Sequence, residues 1–361
     1  MLETEYTLRR RAICAGFRDR KFDALIVSAL VNVRYLAGFT GSHAALVLEP
    51  GREAVLFTDP RYQIQATQET TCRVRVVRGP LMPAVSRHLA RRRLLRIGFE
   101  NHRISLEAHQ LLEKGLPLGA SLEAAGSLIE QRRMIKSPAE IELIRRSMLT
   151  ASRAFQAAIR KIRPGTTEAG LAAEIDHLMR RFGAEKPAFE TIVASGPRSA
   201  LPHASPGPIA LSPNQLLLID MGACQDGYAS DMTRTLFLGR PTPRAKRMYH
   251  AVLEAQLAAI AAVRDGVAAG GVDRAARRRL RADGLDQAFV HSTGHGLGLE
   301  IHEAPRLGRC EKTLLRAGMV VTIEPGAYWE GFGGIRIEDT VAVTAAGCEI
   351  LTPVSKEFTA L

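Results

Sequence analysis

The chain has 361 residues, of which 46% are hydrophobic and 24% charged, the balance of an ordinary globular protein and not of a disordered, fibrous or membrane-embedded one. That length exceeds the roughly 250–300 residues that one core serves, so two domains are expected. The net charge of +12 is spread through runs such as Arg9–Arg11, Arg91–Arg93 and Arg277–Arg281; with no nucleic-acid motif beside them they read as solvated helix faces, and no nucleic-acid partner is expected.

The five cysteines, Cys14, Cys72, Cys224, Cys310 and Cys348, are scattered and never spaced as C-x-x-C. That argues against a disulfide framework and a thiolate zinc site, and for a reducing compartment. The first twenty residues lack the apolar core of a signal peptide, and no uncharged apolar stretch reaches membrane-spanning length. The expectation is a cytoplasmic protein with no membrane partner.

From the start to about Gln131, short β-type runs at Asp23–Ser28, Ala44–Leu48 and Ala54–Thr58 alternate with helical ones at Leu81–Arg93 and Leu106–Lys114. This predicts a smaller α/β domain over 1–131 with a mixed sheet. A second domain is expected over 132–361. Ser137-Pro138-Ala139-Glu140 is a capping box with proline at the first helical position, opening a helix to about Arg163 that Pro164-Gly165 stops. Another helix begins at Thr166; Pro187–Pro206 reads as strand then loop. Thr242-Pro243 starts a third long helix reaching about Arg264, and Asp273 caps a fourth through Arg281.

Between and after these helices stand two hairpins of one kind. Leu216–Leu238 carries Asp220 and Asp231, and Met319–Val343 carries Glu324 and Glu338, one acid in each otherwise apolar strand. Antiparallel pairing brings such residues to one face, where like charges repel unless a cation is bound. For the first hairpin alone, a turn role for Asp220 and an Asp231–Arg234 pair serve equally well. The second hairpin, with HSTGHGLGLEIHE placing His291, His295 and His302 between the two, shifts the balance: four carboxylates and an imidazole are ligands for two divalent ions. Oxygen donors with a single imidazole suit Mn, Mg, Fe, Co or Zn. Two such ions share a bridging water, lower its pKa and polarise a carbonyl, which is machinery for amide hydrolysis. Rival signatures are missing: there is no H-E-x-x-H, G-x-S-x-G or P-loop. The order of elements suggests a pseudo-duplicated α+β domain whose hairpins face each other across a concave sheet.

LLLIDMGACQDGYASDMTRTLFLG, HSTGHGLGLEIHEAP, TIEPGAY and GGIRIED together resemble the pita-bread metallopeptidase family, in particular its Xaa-Pro peptidase branch of aminopeptidase P and prolidase; YLAGFTGS and DPRY resemble the creatinase-type N-terminal domain of that branch. The resemblance implies a pita-bread fold and metal ligands at Asp220, Asp231, His295, Glu324 and Glu338. Asp231 and Glu338 would bridge two ions, Asp220 would complete one site, and His295 with Glu324 the other. Glu324 would also shuttle a proton for the bridging hydroxide that attacks the scissile carbonyl. His203 would close over substrate, His291 and His302 would bind substrate and stabilise the tetrahedral intermediate, and Arg336 would fix the surroundings of the last ligand. Arg306 matches a position that in some prolidases meets the free carboxylate of a dipeptide; a surface arginine after a proline turn is the equal alternative. The resemblance further implies Mn, with Co or Zn as substitutes, a homodimer, and peptide substrates with proline in second place. A broader-specificity aminopeptidase and a non-catalytic binding protein on the same fold are the alternatives.

Overall fold

The computed structural model describes residues 4–361, and the chain divides into two units between Arg133 and Met134. In the first, apolar β-branched runs form the inner strands and amphipathic segments cover them. The elements are α1 (Glu5–Ala15), α2 (Phe17–Arg20), β1 (Ala24–Val27), α3 (Leu30–Ala37), β2 (Ala44–Leu48), β3 (Val55–Thr58), α4 (Gln63–Glu69), β4 (Arg73–Val76), α5 (Leu81–Arg91), β5 (Arg96–Phe99), α6 (Leu106–Lys114), β6 (Ser121–Ala124) and α7 (Leu128–Arg133). The strands form one mixed sheet in the order β4-β3-β2-β1-β5-β6, antiparallel where β2 meets β1 and β3 and parallel elsewhere. Ile26, Val47, Phe57, Val85, Leu89 and Leu112 pack its core.

The second unit begins with α8 (Pro138–Ile159), whose capping box is complete: Glu140 N donates to Ser137 Oγ at 3.2 Å and Ser137 N to Glu140 Oε2 at 2.9 Å. It stops four residues short of the expected Arg163, in turns that the Arg163 guanidinium closes by donating to the carbonyls of Arg160 and Ile162. Helix α9 (Glu168–Arg181) is capped by Thr167 and not by Thr166, whose hydroxyl instead accepts from Arg163 N. There follow β7 (Lys186–Pro187), β8 (Ile192–Ser195), β9 (Gln215–Met221), β10 (Ala223–Gln225), β11 (Tyr228–Ala229), β12 (Met232–Leu238), α10 (Pro243–Ala262) and α11 (Ala269–Ala282). Asp273 does not cap a helix: it lies inside α11, fully buried, and accepts from the backbone N and hydroxyl of Thr293. The remaining strands are β13 (Gly294–Gly296), β14 (Glu303–Leu307), β15 (Val320–Ile323), β16 (Gly326–Trp329), β17 (Gly333–Arg336), β18 (Asp339–Val343) and β19 (Cys348–Ile350).

Each helix pair buries one face of one hairpin. Met148, Phe155, Ile175 and Met179 of α8 and α9 pack on Leu217, Ile219, Met232 and Leu236; Val252, Ala255, Val272 and Leu280 of α10 and α11 pack on Val321, Ile323, Ile335 and Val341. Because side chains alternate along a strand, Asp220 and its cross-strand partner Thr233 stand on the opposite face of the first hairpin from α8 and α9. The same parity turns Thr322 and Thr340 of the second hairpin away from α10 and α11.

The acids are not all mid-strand as expected. Asp220 lies in β9, but Asp231 precedes β12, and Glu324 and Glu338 occupy the breaks between β15 and β16 and between β17 and β18. At these breaks the main chain leaves its own ladder to bond across the domain. Glu338 N donates to Thr233 O, Glu324 N to Thr293 O, and Thr340 Oγ1 to Asp231 O. Arg336 N and O further engage the Thr235 hydroxyl. The hairpins are thereby zipped together at the positions that carry carboxylates.

Candidate metal centre

All ten residues singled out in the sequence, Asp220, Asp231, His295, Glu324, Glu338, Arg336, His203, His291, His302 and Arg306, line one cavity of about 610 Å³. Asp231, His295 and Glu338 form its floor: each offers a ligand atom, and these atoms lie within 4.8 Å of one another. His295 Nε2 stands 3.5 Å from Asp231 Oδ2 and 3.6 Å from Glu324 Oε1. Its Nδ1 lies 3.0 Å from Gly296 O, so the proton sits on Nδ1 and the lone pair of Nε2 faces the carboxylates. A backbone carbonyl fixing the tautomer in this way is the usual support of a metal-ligating imidazole.

The electrostatics are those of a cluster built around positive charge. Burial, then the neighbouring Glu338, Asp220 and Glu324, raise the Asp231 carboxyl well above the usual range; burial with Glu324 and Asp220 does the same to Glu338. Burial pushes Glu324 up to about 7, Arg336 opposing and Asp220 adding to the rise. Burial also brings His295 and His291 down to about 4, so both are neutral at pH 7. Two buried carboxylate oxygens, Asp220 Oδ1 and Asp231 Oδ1, have no hydrogen-bond partner among the described residues. Orphaned acceptors of this kind are costly unless something electropositive meets them. The donor set therefore fits divalent cations.

Arg336 reaches beyond the surroundings of the last ligand. It lies two residues from Glu338, yet its guanidinium reaches the other end of the cluster: Nη2 donates to Asp220 Oδ2 at 2.6 Å and Nη1 to the Tyr328 hydroxyl at 2.8 Å, while Nε donates to Thr233 Oγ1. Thr233 Oγ1 donates in turn to Glu338 Oε2 at 2.7 Å. The suggested Asp231–Arg234 pair does not form. Arg234 is buried against Asp339 at 2.8 Å and donates to the carbonyls of Thr233 and Glu338, bracing the backbone behind the cluster.

His291 is engaged through both ring nitrogens. Nδ1 donates to Ser292 O, and Nε2 accepts from the Tyr328 hydroxyl at 2.8 Å. Arg277 of α11 holds the segment by donating to the carbonyls of Phe289 and His291. His302 is exposed at the mouth with its ring centroid 4.4 Å from that of His295. His203 and Arg306 are also exposed there. The sequence reasoning missed Tyr328, Thr233, Asp273 and Arg277. Thr233 was findable, since antiparallel alternation sets it opposite Asp220; Tyr328 lies in TIEPGAY but carries no charge to mark it.

A carboxylate cluster with one lone-pair-presenting imidazole, on paired hairpins backed by helix pairs, defines a metallopeptidase of the pita-bread fold. The chain belongs to metallopeptidase family M24, whose model matches residues 142–345, and the creatinase/prolidase N-terminal domain matches residues 9–135. It is 36% identical over 340 residues to the Xaa-Pro dipeptidase of Pyrococcus furiosus, covering 94% of this chain and 96% of that one. The solved Xaa-Pro dipeptidase from Bacillus anthracis superposes with a TM-score of 0.96 at 33% identity, covering 99% of this chain and 100% of that one. The X-Pro aminopeptidase from Thermotoga maritima gives 0.91 at 35% identity, with 96% and 100% covered.

Proposed function

We propose that the chain hydrolyses the peptide bond preceding proline, in Xaa-Pro dipeptides or at the N-terminus of short peptides, with two divalent ions held by Asp220, Asp231, His295, Glu324 and Glu338. The observation that carries this is the pair of partnerless buried oxygens, Asp220 Oδ1 and Asp231 Oδ1, in a cluster that His295 Nε2 faces. Asp231 and Glu338 are assigned to both ions, Asp220 to one and His295 with Glu324 to the other. When bound, such ions polarise a carbonyl and acidify water. The chain's own groups do the rest. Glu324, on the cavity wall beside His295, is assigned the taking and returning of a proton. Arg336 orients Asp220, and Tyr328 links Arg336 to His291. His203 and His302 sit at the mouth, where a substrate passes. A bond preceding proline has no N–H on its leaving side, so a site that grips the carbonyl oxygen suits it.

Manganese, with cobalt or zinc as substitutes, is the proposed metal. The catalytic domain is assigned to 132–361 and the N-terminal domain to 1–131, in keeping with the break after Arg133. A reducing, cytoplasmic setting is supported by five free cysteines. A homodimer is carried over from the resemblance, and sedimentation tests it. The Pyrococcus furiosus and Thermotoga maritima relatives, a dipeptidase and an aminopeptidase, divide on substrate length. Arg306, exposed on the cavity wall, tips the proposal toward dipeptides, because its guanidinium suits a free carboxylate. Xaa-Pro cleavage is expected to disappear with chelator and return with Mn. Arg306→Ala is expected to raise KM for a dipeptide about tenfold more than for a tripeptide, as befits loss of ~1.4 kcal/mol; unchanged relative rates would remove the Arg306 assignment.

A further inference from the structure

A second cavity, of about 650 Å³, adjoins the first and shares His291, Ser292 and Arg306 with its wall. Its charged groups are unequally engaged. Glu311 accepts from the backbone N and hydroxyl of Thr313, Asp286 meets Arg281 at 3.3 Å, and Arg277 is held by Asp273 at 2.8 Å. Arg306 and Arg309 have no ion pair or side-chain hydrogen bond among the described residues. Among the described residues, Arg306 and Arg309 are therefore the charged side chains of this cavity left without a partner, while Asp286 is held by Arg281 and Glu311, its one carboxylate lacking a cation, by the backbone and hydroxyl of Thr313. Beside them Val290 is 69% exposed, an apolar surface next to two free guanidinium forks. The occupant such a wall suits is partly apolar with an anionic end, and a guanidinium matches a carboxylate in shape as well as charge.

Resting on the Xaa-Pro reading, we infer that this second cavity receives the residues beyond proline in tripeptides and longer substrates, and that Arg309 binds their C-terminal carboxylate. Arg306, on the wall common to both cavities, meets the carboxylate of a dipeptide instead. Each added residue carries the carboxylate about 3.3–3.6 Å further along an extended chain, out of hydrogen-bond reach of a group that met it one residue earlier. The two arginines thus sort substrates by length.

The test measures kcat and KM of wild type, Arg309→Gln and Arg309→Lys on Ala-Pro, Ala-Pro-Ala and Ala-Pro-Ala amide. Arg309→Gln is expected to raise KM for the free-acid tripeptide about 5- to 20-fold, the size of a charge-assisted hydrogen bond, with kcat little changed. The amide and the dipeptide should not respond, and Arg309→Lys should recover most of the loss. Equal effects on acid and amide, no effect on either, or a wild type that cleaves Ala-Pro but not Ala-Pro-Ala would overturn the inference. A wild type that cleaves none of these peptides would overturn the Xaa-Pro reading itself, and is told apart by the silent dipeptide.

Discussion

Glu324 and its two neighbouring histidines carry opposite pH signatures, and the difference is measurable. Burial pushes Glu324 up to about 7, so the folded protein keeps a proton that the unfolded chain sheds near its ordinary value of 4.5. That contribution to stability is complete below about 4.5 and is lost as pH rises through about 7. Asp231 and Glu338, raised in the same direction, add to the trend. His291 and His295, held near 4 by burial, stay neutral in the fold while the unfolded chain protonates near 6.5. Their contribution is present above 6.5 and is lost as pH falls toward 4. Between 4.5 and about 7.5 the two effects oppose each other, because the unfolded histidines finish titrating only about a unit above 6.5, and beyond that the carboxylates act alone. The metal-free protein is therefore expected to lose stability between about pH 7.5 and 9, seen as a falling melting temperature, and added Mn should cancel the fall. A metal-free melting temperature that is flat or rising over that interval would contradict the assignment.

The hairpins show what a strand pattern tells and what it conceals. Apolar alternation with one acid per strand was enough to place four carboxylates on neighbouring surfaces, and all four line one cavity. The breaks in pairing were hidden, because they arise from main-chain bonds to distant segments, such as Glu324 N to Thr293 O and Glu338 N to Thr233 O. Arg336 was likewise visible as a residue but not as a partner of Asp220, since its reach depends on how the hairpins meet. Helix starts were legible where a capping box spelled them out, at Ser137; Asp273 misled because a buried acceptor inside α11 has the same residue type as a cap. Close approach also dictates Gly222, where a Cβ would lie 1.9 Å from the Ser230 carbonyl oxygen beside Asp231. Two backbones meet there, and no rotamer relieves the clash. Gly222→Ala is expected to cost about 3 kcal/mol and to lower the melting temperature by roughly 6–12 °C, with metal affinity falling alongside; a variant within a degree of wild type would show that the hairpin absorbs the methyl group freely.

In the catalytic unit, duplication of a helix-pair-and-hairpin unit explains how 228 residues, Met134–Leu361, support a charged centre. Each hairpin gives its outer face to an apolar core and its inner face to the cluster, so the acids gain burial from packing that does not depend on them. Cations are what make the inner faces compatible. The most direct test is metal content measured together with Xaa-Pro cleavage for wild type and Asp231→Ala. Two ions per chain in the wild type, and loss of metal and of activity together in the variant, are predicted because a ligand shared by both ions supports both. A fully active, metal-replete Asp231→Ala protein would contradict the account.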